Sequence, residues 1–303
     1  MEETKKHIVL ARKYRPQNFK DLVGQNLLVE IITSAITNDK LAHAYVLTGV
    51  RGVGKTTTAR IIAMSINCQK REIKNSDPCG ECDSCKSIRL DSNLDVIEMD
   101  AASNTGVDDV REIIDNVKYK PIISKYKIFI IDEVHMLSKQ AFNGLLKTLE
   151  EPPRSLKFIL ATTEVRKIPV TILSRCQRFD LKRVNNEMIF QHLRKISNIE
   201  KGKISDDALN LIAKSSEGSV RDAISLLDRA LISQSIKDSK IIEEQDVRKM
   251  LGLADKSKVI NLLKEVLSGN ENEALKILRE LINNGIDAKN FLNDILEVLY
   301  LFS

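Results

Sequence analysis

The sequence predicts an α/β domain built on a parallel sheet with helices on both faces, followed by an all-helical region. Three observations predict it. Four short apolar runs alternate with amphipathic patterns up to about residue 180, strand signals then stop, and no Phe, Tyr or Trp occurs from Gln191 to Asn290. Alternation of strand and helix implies crossover connections, which make the strands parallel and bury the sheet on both faces. At roughly 150 residues per domain, a chain of 303 residues has the length of about two domains, or of three small ones, and needs no disulfides to build a core.

The strand candidates are Ala44–Thr48, Leu94–Met99, Lys127–Ile131 and Lys157–Thr162. Each is short and is followed by turn or polar residues, as buried parallel strands are. Helical patterns lie between them at Thr56–Ile66, Val107–Val117 and Lys139–Glu150. In the last, Phe142, Leu145, Leu146 and Leu149 share a face, Ser138 is placed to cap the start, and Pro152–Pro153 prevent continuation. Beyond Asp180 helical patterns cover Glu187–Asn198, Asp206–Ser215, Val220–Ser233, Glu244–Leu251, Lys256–Leu267, Asn272–Asn283 and Ala288–Leu301. Domains are therefore expected at 1–180, 181–243 and 244–303. The final pattern runs apolar and uncapped to the last residue, so the third domain is expected to be incomplete.

Composition excludes more than it selects. The net charge of +5 permits polyanionic partners without requiring them. The N-terminus lacks the apolar core of a signal peptide, and no run approaches the ~20 apolar residues of a membrane span. A cytoplasmic protein without membrane contact is expected, and its five cysteines belong in a reducing compartment, where clusters bind metal.

Gly49–Thr56 reads GVRGVGKT and fits the phosphate-binding pattern G-x-x-x-x-G-K-[ST] between a strand and a helix. Gly49, Gly52 and Gly54 let backbone N–H groups turn toward phosphates. Lys55 reaches the β and γ phosphates of ATP, Thr56 offers a hydroxyl to Mg²⁺, and Val53 and Thr57 complete the nucleotide-binding run. A P-loop ATPase domain is thus expected. Asp132 and Glu133 follow an apolar strand, at the end where α/β folds bind ligands. Asp132 would hold Mg²⁺ and Glu133 would orient the attacking water.

Cys79, Cys82 and Cys85 form two overlapping Cys-x-x-Cys steps, with Cys68 upstream. Four thiolates suit a closed tetrahedral Zn²⁺ site of structural type. An iron–sulfur cluster is the rival, but the upstream fourth Cys and the lack of a Cys-Pro step favour zinc. Cys176 lies outside this set and reads as a packing residue.

The runs ARKYRPQNFKDLVGQ (11–25), GVRGVGKTTTAR, DEVHMLSKQAFNGLLKTLEEPP, ATTEVRKIPVTILSRCQRF and EGSVRDAISLLDRA occur in order. Together they closely resemble the gamma/tau subunits of the bacterial DNA polymerase III clamp loader, a family of AAA+ ATPases. The resemblance implies an AAA+ domain with a zinc module inserted at about 68–85, a helical lid and the start of a helical collar. It implies an adenine-side pocket of Tyr14, Arg15, Pro16, Val23 and Gly24, and a sensor at Thr163. Arg175, within Ser174–Arg175–Cys176, resembles an arginine finger acting in the neighbouring subunit, and Arg221 resembles a second sensor. The implied partners are other loader subunits in a hetero-oligomeric ring, a sliding clamp, primer–template DNA, and the replicative polymerase through segments outside this sequence. Polymerase activity would belong to the assembly.

One departure stands out. The loop AASNTGVDDVR has Asn104 and Gly106 where relatives often carry basic residues facing DNA, although Arg111 remains. Two other classes compete with an ATP-driven loader. Asp132-Glu133-Val134-His135 resembles a DExH helicase box, but such helicases need a second α/β motor domain. A non-hydrolysing scaffold would have no use for Lys55, Thr56, Asp132 and Glu133 together.

Overall fold

The computed structural model describes residues 8–72, 75–103, 117, 119–236, 241–253, 256–283 and 288–302. Except for Val117, the helix expected at 107–117 lies outside the described residues, as do Asn104, Gly106 and Arg111. Contacts group the chain into two compact units. The first takes in residues up to Ile189 together with Glu217–Asp222, and the second comprises Phe190–Ser216 and Ala223–Ser303.

In chain order the first unit contains α1 (Leu10–Lys13), α2 (Asn26–Thr37), β1 (Ala44–Thr48), α3 (Lys55–Asn67), α4 (Asp83–Arg89), β2 (Val96–Asp100), β3 (Lys127–Asp132), α5 (Lys139–Glu150), β4 (Leu156–Thr162), α6 (Val170–Leu173) and β5 (Gln177–Asp180). The strands form one parallel sheet in the order β2-β3-β4-β1-β5. Both faces are covered, as a parallel sheet requires. One face packs Tyr45, Leu47, Ile128 and Ile130 against Ile61 and Ile62 of α3. The other packs Val46, Phe129, Ile131 and Phe158 against Phe142 and Leu145 of α5.

β4 separates β1 from β3 in this order. The loop after β1 and the acidic end of β3 therefore flank the end of β4, where Thr162 and Thr163 lie. The side chain of Ser138 caps α5 by accepting from the N–H of Ala141, and the helix ends at Glu150 before the proline pair.

β5 was not foreseen, because only Phe179 of its four residues is buried and no apolar run marks it. It is an edge strand held by pairing with β1, and Phe179 stacks on Tyr45 with centroids 6.2 Å apart. α2 also lay outside the expected elements, although Leu28, Ile32 and Ile36 recur at helical spacing and are buried.

The second unit is helical, with α7 (Asn186–Ile199) running into it from the first. It contains α8 (Asp206–Ser215), most of α9 (Val220–Ile236), α10 (Glu244–Leu251), α11 (Lys256–Leu267), α12 (Glu271–Asn283) and α13 (Ala288–Phe302). Val259, Leu262, Leu263, Ala274, Leu281 and Val298 form a core among the last three helices. Among the described residues no helix is long and apolar enough to cross a membrane.

Candidate functional site

The phosphate loop joins β1 to α3. Gly54 takes φ +103, and a Cβ there would meet nothing within 4 Å, so its side of the loop is open. Gly52 is constrained by both conformation and space. Its φ is +78, a Cβ would lie 2.0 Å from Ser219 Oγ, and its carbonyl accepts from the N–H of Arg221 at 3.2 Å. Gly49 likewise leaves no room, since a Cβ would sit 2.7 Å from the Leu181 carbonyl.

Lys55 is only 5% exposed, and its ammonium donates to the carbonyls of Gly49 (2.9 Å) and Val50 (3.1 Å). Burial pulls its pKa below the ordinary value, while Glu133 and Asp132 oppose that shift. Thr56 donates its hydroxyl to Asp132 Oδ2, in a short hydrogen bond that joins the loop to the end of β3. The loop, a lysine and the acidic pair thus converge in one place.

Glu133 follows with φ 46 and ψ 42, in the left-handed region. Its Oε2 accepts from Thr163 Oγ1 at 3.0 Å and from the Thr163 N–H at 3.3 Å. The expected sensor and the expected water-orienting carboxylate are therefore in direct contact.

Arg15 donates through Nε to Thr57 Oγ1 at 3.0 Å, on the first turn of α3. Burial, with Arg60 and Arg221 nearby, lowers its pKa, and Glu98 and Asp132 partly compensate. Tyr14 closes α1, with the Lys13 ammonium 5.6 Å from its ring centre. Pro16, Val23 and Gly24 are half-buried, and a Cβ on Gly24 would press on Val184 at 3.0 Å. Arg175 is engaged elsewhere: its guanidinium pairs with Glu150 Oε1 at 2.7 Å and donates to the Thr171 carbonyl at 2.7 Å.

Several site-supporting residues lie within the runs that carry the resemblance, but no role was assigned to them there. Gln25 is buried, donates to the Lys182 carbonyl at 2.9 Å and accepts from the Lys182 N–H at 3.2 Å. Ser219 fills the space above Gly52. Arg60, one turn beyond Thr56, forms a two-pronged pair with Glu98 of β2, at 2.5 and 2.7 Å. The i, i+4 spacing of Thr56 and Arg60 was a readable signal, whereas the Gln25–Lys182 pairing spans distant sequence.

The sulfurs of Cys68, Cys79, Cys82 and Cys85 all lie within 4.8 Å of one another. Cys68–Cys82 and Cys79–Cys85 are each 4.0 Å apart, near the ~3.8 Å edge of a tetrahedron with Zn–S bonds of about 2.3 Å. The N–H groups of Glu81 and Cys82 point at Cys79 Sγ, and that of Cys85 at Cys82 Sγ. Burial opposes ionisation of Cys82, but N–H donors from Cys85 and Gln69 outweigh it and bring its pKa to about 6. This donor set fits zinc. Cys176 is outside the cluster, and burial raises its pKa to about 11.

Comparison with known proteins agrees along the chain. The family model described as the DNA polymerase III delta subunit matches residues 24–185. The DNA polymerase III clamp loader subunit ATPase lid domain matches 188–235, and domain III of DNA polymerase III subunits gamma and tau matches 242–303. DNA polymerase III subunit gamma/tau of Mycoplasma genitalium is 45% identical over 95% of this chain and 48% of its own length. Subunit tau of Bacillus subtilis is 44% identical over 95% of this chain and 50% of its own length. Subunit gamma of Buchnera aphidicola subsp. Acyrthosiphon pisum is 42% identical over 96% of this chain and 79% of its own length. The chain spans about half the length of the Mycoplasma and Bacillus relatives. Among solved structures, the Thermotoga maritima RuvB Holliday junction branch migration motor matches with a TM-score of 0.59 and 20% identity, over 92% of this chain and 90% of that one. That likeness shows that the two chains share a fold.

Proposed function

For a chain that belongs to the gamma/tau family of DNA polymerase III subunits, we propose the role of an ATP-hydrolysing motor subunit in a clamp-loading assembly. The observation that carries this reading is the hydrogen bond from Thr56 to Asp132, with Lys55 within electrostatic reach of both Asp132 and Glu133.

In this reading the triphosphate takes over the Lys55 ammonium from the carbonyls of Gly49 and Val50. Backbone N–H groups of the loop and the start of α3 receive the phosphate oxygens. Mg²⁺, when bound by Thr56 and Asp132, would offset charge on the β and γ phosphates. Glu133 orients a water molecule and draws off its proton as the water oxygen bonds to the γ-phosphorus. The bond to the β–γ bridging oxygen breaks, and ADP and phosphate leave. Thr163 holds Glu133 in place for this step. Tyr14, Pro16, Val23 and Gly24 line the base side, with Arg15 and Arg221 adding positive charge. Arg175, half-buried and paired with Glu150, would exchange that partner for a neighbouring subunit's nucleotide, where an arginine finger contributes about 10³–10⁵ in rate.

The output would be a conformational change that opens a sliding clamp and releases it on primer–template DNA, in concert with other loader subunits. The four cysteines would hold a structural Zn²⁺ apart from this chemistry. The described residues contain one parallel sheet, which gives no support to a helicase with two motor domains. The test is ATP turnover by the chain assembled with loader partners, with and without clamp and primed DNA. Stimulated turnover is expected; none with every component present contradicts the reading.

A further inference from the structure

His135 is the residue of the Asp132-Glu133-Val134-His135 run that the proposed chemistry leaves without a task. It is held where a packing role alone is a poor explanation. Its side chain is 6% exposed, yet polar oxygens meet both edges of the ring. Nδ1 lies 3.0 Å from Thr162 Oγ1 and 3.4 Å from Glu133 Oε2. Nε2 lies 3.5 Å from Glu164 Oε1, and Glu164 is itself paired with Lys167. Burying an imidazole between two carboxylates is costly unless its polar edges are used.

Glu133 needs such a neighbour. Its left-handed backbone is a strained conformation for a residue with a side chain, of the kind that persists only where the surrounding structure over-determines it. Oε2 is already tied to Thr163 by two bonds from the β4 side, which leaves the β3 side of that oxygen to be closed. The Nδ1 edge of His135 faces the same oxygen from the β3 side. Thr162 Oγ1, which accepts from the Glu164 N–H at 2.9 Å, is the nearer partner of Nδ1 and holds the ring edge at 3.4 Å from Glu133 Oε2, a close contact that closes that side of the carboxylate.

We propose that His135 is a positioning residue for Glu133, fixing the carboxylate that orients the attacking water through its Nδ1 edge, with Thr162 and Glu164 holding the ring. It acts through Glu133 and touches no substrate. This inference rests on the ATP-hydrolysing role proposed above.

The test uses the assembled loader carrying His135→Ala, His135→Asn or His135→Gln. The readouts are kcat, KM for ATP, affinity for the non-hydrolysable analogue AMP-PNP, and Tm. A displaced carboxylate lowers kcat by about 10–100-fold in His135→Ala while KM and AMP-PNP affinity stay unchanged, and Tm falls because a buried ring is removed. His135→Asn, whose amide can occupy the Nδ1 position, recovers most of the loss; His135→Gln does not. The proposal is overturned by a His135→Ala kcat equal to wild type, by Asn and Ala variants equally impaired, or by a kcat loss that tracks a fall in AMP-PNP affinity. An assembled wild type that turns over no ATP overturns both this inference and the ATPase role. Normal wild-type turnover with an unaffected His135→Ala overturns this inference alone.

Discussion

Thr163 holds Glu133 with both of its donors: Oγ1 at 3.0 Å and the backbone N–H at 3.3 Å reach the same carboxylate oxygen, Oε2. A residue at the end of β4 thereby sets the position of the carboxylate at the end of β3. The sheet order puts these two strands side by side.

Thr163→Ala removes one of the two bonds. Loss of a hydrogen bond to a charged group is worth about 1.5–3 kcal/mol, so kcat of the assembled enzyme is expected to fall about 10–100-fold. Nucleotide affinity should be unchanged, and Thr163→Ser should retain most of the activity. A steady-state titration of ATP with the three proteins checks this, and a loss confined to KM would contradict it.

Gly52→Ala tests the contact between the phosphate loop and Ser219. The new methyl meets Ser219 Oγ at 2.0 Å in a backbone held at φ +78. Strain of this kind costs about 1–3 kcal/mol, to be read as a lower midpoint in urea unfolding with an unchanged slope. Adding Ser219→Gly should recover only the steric part. Full recovery would show that φ matters little at this position.

Asp95 provides a pH test. Its buried carboxylate accepts three N–H bonds of 2.7 Å, from Ile122, Ile123 and Ser124. Burial opposes ionisation, but these donors outweigh it and hold the carboxyl below its ordinary value of 3.8. A depressed folded-state pKa gives stability that is fully present above the ordinary value and lost as pH falls below it. Asp95→Asn keeps an oxygen for the Ile123 and Ser124 N–H groups and sets its NH₂ against the Ile122 N–H, at a cost of about 1–3 kcal/mol near pH 7. The Tm gap between wild type and variant should narrow from about pH 4 downward. A gap that widens on acidification would invert the assignment.

The four-cysteine cluster predicts one Zn²⁺ per chain by elemental analysis. Cys85→Ser should lower that content, and chelator treatment of the wild type should lower Tm. A chelator that strips zinc without moving Tm would argue against a structural ion. Iron and labile sulfide in place of zinc would revive the rival cluster.

The sheet was largely legible because its central strands must be apolar: all residues of β1 and β4 are buried, down to Lys157, whose ammonium reaches the Leu41 carbonyl. β5 was not, because an edge strand pairs through backbone groups that carry no residue preference and buries only Phe179. Within the site, Lys55, Thr56 and Asp132 were readable because phosphate chemistry demands those residue types at that spacing. The supports were hidden for the opposite reason. Gln25 on Lys182 and Ser219 over Gly52 lie within quoted runs, but their partners are distant in sequence and no local pattern names them. Arg175 was readable through its motif, but its pairing with Glu150 was not.

The most direct test of the account is single-turnover ATP hydrolysis by the assembled chain carrying Glu133→Gln. The amide retains the shape and loses the charge that draws the proton from water. Nucleotide binding at wild-type affinity with hydrolysis slowed about 10²–10⁴-fold is the predicted result. Hydrolysis at the wild-type rate would contradict the assignment of Glu133 and, with it, the mechanism built on this site.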